Sequence, residues 1–254
     1  MLEVSGNMAP DSPGVTNSAT DPKPALWFVT MLKEDLAAHG VIVSGGVRQE
    51  DWLSRDATPI DWSNLVEIAT VQSPPLAEIV KQTLKPSQNM YAQDLLLISG
   101  AAAGAGNGPT AQAALSEMRT FLDSIGIDEK MARLADGSGL SRNSRVTPSA
   151  SVRLLTIINT NGWRDALVDA FPIAGVDGTL RNRFRGTAAA GNIRAKTGTL
   201  SGVNTLSGYV TTAAKEKLVF SIMLNKNQNG GPGIPQVDAL AQQLADFTVH
   251  TSPP

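Results

Sequence analysis

The chain has no cysteine. That removes disulfides, thiolate nucleophiles and cysteine-based metal sites together. It does not assign a compartment, because exported proteins also lack cysteine. Histidine is scarce as well: His39 closes an amphipathic stretch, and His250 lies four residues from the C-terminus. Neither sits beside a nucleophile in sequence, so a Ser-His-Asp site has little support. A two-histidine metal site would need both to converge. No metal or other cofactor is expected, and lysine is the expected base. A dominant charge is also missing. Lys+Arg number 21 against 23 Asp+Glu, a formal net charge of −2, and no long basic run points to nucleic acid or an anionic membrane. No apolar run approaches the roughly 20 residues of a membrane span. Met1-Leu-Glu-Val-Ser-Gly6 has neither the basic nor the apolar region of a signal peptide.

What is present is enough chain for a sizeable core: 254 residues, 42% hydrophobic. Apolar residues at helical spacing predict helices over Pro24–Ala38, Pro75–Leu84, Asn89–Ile98, Pro109–Ser124, Pro148–Ile158 and Val237–Phe247. Strands are expected at Leu2–Val4, Val41–Val43, Leu65–Val71, Ile193–Ala195, Thr205–Thr212 and Leu218–Leu224. The last two flank Ala213-Ala-Lys-Glu216, which reads as a hairpin turn. Helices precede an antiparallel sheet and a final helix returns onto it, so the class is α+β.

Three stretches carry chemistry. Lys196-Thr197-Gly198-Thr199 offers a compact cation, two hydroxyls and a glycine that permits close approach, an edge suited to an extended peptide and its carboxylate. Its plainer reading is a strand end rich in Thr and Gly. Ser87-Gln88-Asn89 stands at a helix start, where Ser is a common cap. Asp136-Gly137-Ser138-Gly139-Leu140-Ser141-Arg142 is either a structural turn, with Asp136 taking nearby amides, or the wall of a cleft.

In that order, SxN, DGSGLSR and KTGT, the three motifs resemble the penicillin-binding proteins. The DGSGLSR loop points to the class C low-molecular-mass D-Ala-D-Ala carboxypeptidases and endopeptidases. Val71–Leu76, Pro172–Leu180 and Gly202–Tyr209 are similar to that family too, and the resemblance runs from about Asp21 onward. It implies the β-lactamase/transpeptidase-like (serine penicillin-recognising) fold, an antiparallel sheet flanked by helices. It implies serine acyl transfer on peptidoglycan stem peptides, β-lactam binding and a periplasmic or otherwise extracytoplasmic location. Carried over by motif, Ser87 is the proton relay, Asn89 a substrate ligand, and Lys196 the lysine that keeps the proton path poised. Thr197 stands beside it, Gly198 gives close approach, and Thr199 binds carboxylate and lends its N–H to the oxyanion hole. Asp136, Ser138 and Arg142 line or support the cleft.

One family element is missing: no serine in the 254 residues is followed by lysine three positions later. Thr30-Met-Leu-Lys33 and Thr212-Ala-Ala-Lys215 have the spacing but not the family position. The expectation is a fold incomplete at its N-terminal part, with residues 1–22 ending an inserted domain and 23–254 forming the C-terminal part of the catalytic domain. Such a chain is expected to be inactive alone, and to self-associate or need its missing N-terminal portion. Two alternatives stay open: a non-catalytic D-Ala-D-Ala-peptide-binding module, and a weak Ser-Lys esterase or β-lactam hydrolase using Ser87.

Overall fold

The structure, a computed structural model, describes all residues except 1–4, 15, 17–19, 52–53, 55–56, 68, 104–109, 226–232 and 251–254. The chain divides into two compact units, Met1–Val71 and Gln72–Pro254. The first holds helix α1, Pro24–Ala38, and a short 3-10 turn, Trp62–Asn64. Helix α1 has the bounds its apolar spacing predicts, yet none of its residues is buried, and Trp27, Phe28, Met31 and Leu32 all stand exposed. Val41–Val43 and the described residues of Leu65–Val71 form no strand. β-branched runs alone do not make strands without a partner backbone. The strand expected at Leu2–Val4 lies outside the described residues.

The second unit carries the rest. Helices α2 (Leu76–Leu84), α3 (Asn89–Ala102) and α4 (Thr110–Ser124) come first. A two-residue strand pair follows, β1 (Ala132–Arg133) with β2 (Arg145–Val146), and the DGSGLSR loop projects from it. Helices α5 (Pro148–Thr160) and α6 (Arg164–Ala170) lead through a 3-10 turn, Gly178–Leu180, to strands β3 (Arg194–Leu200), β4 (Val203–Thr211) and β5 (Lys217–Asn225). Helix α7, Ile234–Asp246, closes the chain. The strand pair β1–β2, helix α6 and the 3-10 turn are too short for periodicity to reveal.

The sheet is antiparallel in the order β3-β4-β5. Burial alternates strictly along β4, as a pleated strand requires. Leu206 and Val210 face a core shared with Ile193, Phe220 and, on α7, Val237 and Ala241. Helix α5 covers the opposite face, where Tyr209 Oη donates to Leu155 O at 2.7 Å. A second core, Leu122, Ile127, Ala132 and Ala150, joins α4 and α5 beneath the β1–β2 pair. The expected helix-flanked antiparallel sheet is therefore present, α+β in class.

Strand β3 is longer than its apolar residues predict. It continues through the whole Lys-Thr-Gly-Thr stretch, pairing Lys196 with Ser207 and Gly198 with Thr205. Thr197 and Thr199 are β-branched and extend readily. Close approach of β3 to β4 depends on Gly208, where a Cβ would stand 2.1 Å from Arg194 O and 2.6 Å from Ala195 Cα. That obstacle is backbone and cannot rotate away. Gly208→Ala should therefore cost roughly 3 kcal/mol of stability, read as a lowered midpoint in a urea melt. An unchanged midpoint would contradict the packing described.

Candidate active site

Two of the sequence-predicted residues meet directly. Lys196 Nζ donates to Ser87 Oγ at 2.6 Å and to Thr197 O at 2.8 Å. Strand β3 supplies the lysine, and the turn between α2 and α3 supplies the serine. Burial lowers the Lys196 ammonium from its ordinary 10.5 to about 8, because a charge removed from water disfavours its own protonated form. The neutral amine is thus accessible near neutral pH.

Ser87 is not a helix cap. The cap position of α3 belongs to Gln88, with no side-chain cap bond, and the Ser87 hydroxyl instead faces Lys196. Its backbone lies in the left-handed region, φ 64°. A non-glycine residue there costs about 1–3 kcal/mol and persists only where surrounding contacts over-determine it. That pattern fits a residue placed for its hydroxyl.

Around the pair lies a cleft of about 700 Å³, lined by Ser87, Asn89, Ser138, Thr179 and Lys196–Thr199 among others. Thr197 Oγ1 donates to Thr179 Oγ1 at 2.9 Å. A Cβ on Gly198 would stand 2.4 Å from Thr205 Oγ1, so this strand position takes no side chain without moving its neighbour. Asn89 opens helix α3 at the cleft rim.

Asp136 and Arg142 take different places. Asp136 turns inward on its own loop: Oδ2 accepts from the Ser138 hydroxyl and from Leu140 N and Ser141 N at 3.1 Å each, and Oδ1 from Ser144 Oγ at 3.1 Å. Burial pushes its pKa up, and these bonds outweigh that and hold it below the ordinary carboxylate value. The structural-turn reading thus holds for Asp136, and the bonds fix the wall on which Ser138 sits. Arg142 Nη1 donates to Ser201 O at 3.0 Å, tying the loop to the β3–β4 turn. Gln93 Oε1 accepts from Gly137 N at 2.8 Å, tying it to α3. Both Asp136 and Arg142 line an adjoining cavity of about 1000 Å³, which also borders Lys196 and Thr197. Its walls include Leu95, Leu154, Phe171 and Met223.

Thr179 escaped the sequence reading. It lies in Pro172–Leu180, which stood out by resemblance but contains no charged motif beyond Asp177. Only the fold brings it to Thr197. Among the described residues no group of three or more His, Asp or Glu side chains is placed to hold a metal, and no helix is long and apolar enough to cross a membrane.

Comparison with known proteins gives a match to the D-Ala-D-Ala carboxypeptidase 3 (S13) family over residues 1–244. A D-alanyl-D-alanine carboxypeptidase from an Actinomadura species is 37% identical across 99% of this chain, which spans 46% of that protein. Penicillin-binding protein 4 (DacB) from Haemophilus influenzae, solved in complex with a β-lactam, superposes with a TM-score of 0.68 at 27% identity, over 87% of this chain and 50% of that one. A β-lactamase from Chitinophaga pinensis superposes with a TM-score of 0.50 at 18% identity, over 68% of this chain and 64% of that one, a likeness of fold alone. The chain thus spans about half the length of the relatives it matches.

The depressed pKa of Lys196 has a consequence for stability. The folded chain binds fewer protons than the unfolded one between about pH 8 and pH 10.5, so stability rises with pH across that window. The cost of burying the ammonium is fully present below pH 8. Relative to Lys196→Met, the wild type should gain about 1–3 kcal/mol between pH 7 and pH 10.5, measured by denaturant melts at both values. A difference that does not move with pH would mean the ammonium is not buried.

Proposed function

The chain belongs to the D-Ala-D-Ala carboxypeptidase 3 (S13) family, and from that premise we propose that it carries the proton-handling and carboxylate-binding part of a serine acyl-transfer site for peptidoglycan stem peptides. The observation that carries the reading is the 2.6 Å contact of Lys196 Nζ with Ser87 Oγ, the lysine held at about 8. A pair poised near neutral pH can pass a proton in either direction.

In this reading a serine nucleophile attacks the carbonyl of the penultimate D-Ala and gives its hydroxyl proton to a base beside it, from which a proton returns to Lys196 for the next turnover. The bond to the terminal D-Ala breaks, and the leaving amine takes its proton through Ser87 from Lys196. Water then releases the acyl group and restores the serine. Thr199 meets the terminal carboxylate and its N–H contributes to the oxyanion hole, with Thr197 beside Lys196. Asn89 holds the substrate amide, Gly198 keeps the strand clear, and Asp136, Ser138 and Arg142 form the facing wall. The substrate puts the reaction outside the cytoplasmic membrane, and β-lactams are inhibitors by mimicry of the scissile amide.

No serine of this chain has the Ser-x-x-Lys spacing of the family nucleophile. Thr30 Oγ1 donates to Leu26 O at 2.8 Å within α1. Thr212 is buried and its hydroxyl accepts from Glu216 N at 3.1 Å in the hairpin turn. Thr30 and Thr212 are thus both engaged locally. We assign the nucleophile to residues outside these 254. The exposed Trp27, Phe28, Met31 and Leu32 support the companion expectation that the chain self-associates or needs that portion. Alone, it serves as a D-Ala-D-Ala-peptide-binding module, since its carboxylate-binding strand does not depend on a nucleophile.

Intact-mass spectrometry after incubation with benzylpenicillin tests the assignment, with no adduct expected. A stoichiometric adduct would overturn it, and an adduct mapped to Ser87 would favour the Ser-Lys esterase instead. Titration with a D-Ala-D-Ala-terminated peptide should show saturable binding that Thr199→Val weakens several-fold, about 1 kcal/mol for a lost hydrogen bond. Binding unaffected by that change would remove Thr199 from the site.

A further inference from the structure

The turn that carries Ser87 is anchored by a residue two positions upstream. Lys85 Nζ donates to Asp177 Oδ2 at 2.6 Å and to Phe171 O at 2.9 Å. Asp177 Oδ1 accepts from Ile173 N at 2.8 Å. The main chain closes the same clamp, for Thr179 N donates to Lys85 O at 3.1 Å. The two charged side chains are largely shielded, 16% and 34% exposed, and both carboxylate oxygens are used. The clamped segment, residues 171–179, is bonded to strand β3 as well. Ala195 N donates to Pro172 O and Ala174 N to Ile193 O, each at 3.0 Å, and Thr197 reaches Thr179 through their hydroxyls. This segment therefore stands as a spacer, with the Ser87 turn fixed to one side and Lys196's strand to the other. A part-buried ion pair adds little net stability once desolvation is counted. Holding Ser87, two positions on, in a left-handed conformation is a task for which its geometry is suited.

We propose that Lys85, acting through Asp177, is a positioning residue that holds Ser87 Oγ against Lys196 Nζ. It touches no reacting atom. The inference rests on the reading of Ser87 and Lys196 as the proton-handling pair, and it makes the spacer segment part of the site's machinery. Arginine at position 85 retains the charge and the donors and should preserve the clamp. Methionine keeps the apolar stem and loses both.

The test reads the pair's geometry without requiring turnover. The 254-residue chain, labelled in its lysine side chains, is titrated by NMR, and the Lys196 signal is identified by its loss in Lys196→Arg. In the wild type Lys196 should titrate at about 8. In Lys85→Met and in Asp177→Asn the turn opens, water reaches Nζ, and the titration should move up by about one unit or more. Lys85→Arg should stay with the wild type. Variants that melt cooperatively and leave Lys196 at its wild-type value would overturn the positioning role while leaving the pair intact. A wild-type Lys196 that titrates at its ordinary value would overturn the pair itself. Should Lys85→Met not fold, Asp177→Asn, which preserves side-chain volume, decides in the same way.

Discussion

An ammonium held out of water against a serine hydroxyl is the constraint on which the second unit is organised. A buried lysine charge is costly unless its protons find acceptors, and Lys196 finds two, Ser87 Oγ and Thr197 O. The first lies 109 residues from the lysine in sequence, and the second is on the strand itself. The sheet fixes the lysine's direction, because alternation along β3 and β4 decides which side chains face the cleft. The helical part must then deliver a hydroxyl to that spot and keep it there. Much of the rest of the unit can be understood as delivering one of these two atoms.

The delivery runs through backbone more than through side-chain packing. Residues 171–179 bond to β3 on one side and to the α2–α3 turn on the other, so strand and turn share one frame. The DGSGLSR loop has its own frame, with Asp136 gathering donors inside it and Gln93 and Arg142 fastening its two ends to α3 and to the β3–β4 turn. Such arrangements favour precision at the cleft, since each tie has a main-chain atom, with no rotamers to explore, as at least one of its partners.

The legible parts of this protein were those with long-range regularity in sequence. Apolar spacing locates α1 to the residue, α2 to within one position and β4 and β5 to within two, because a periodic apolar stripe needs no knowledge of neighbours. The strand at Lys196–Leu200 was shortened because its residues are polar and pair through backbone. Val41–Val43 and the described residues of Leu65–Val71 are not strands, because β-branched residues signal strand only where a second strand exists. At the site, the motif residues stood out, whereas Thr179, Lys85 and Asp177 did not. Their importance arises from contacts across 18 and 92 positions, which no local pattern encodes. Ser87 was ambiguous between cap and site until its hydroxyl could be followed to Lys196.

The left-handed backbone at Ser87 has a consequence for how this cleft could change. Glycine, asparagine and aspartate accept that conformation readily, and β-branched residues do not. Threonine, the obvious chemical substitute, carries the same hydroxyl but adds a methyl at the branch point that the conformation excludes. Of the two residues that could present an aliphatic alcohol here, one is barred by the main chain. Variation at this position is thereby channelled: a lineage that abandons serine keeps the turn only by giving up the alcohol, so loss of the relay would leave its mark as a change to Gly, Asn or Asp within an otherwise intact scaffold.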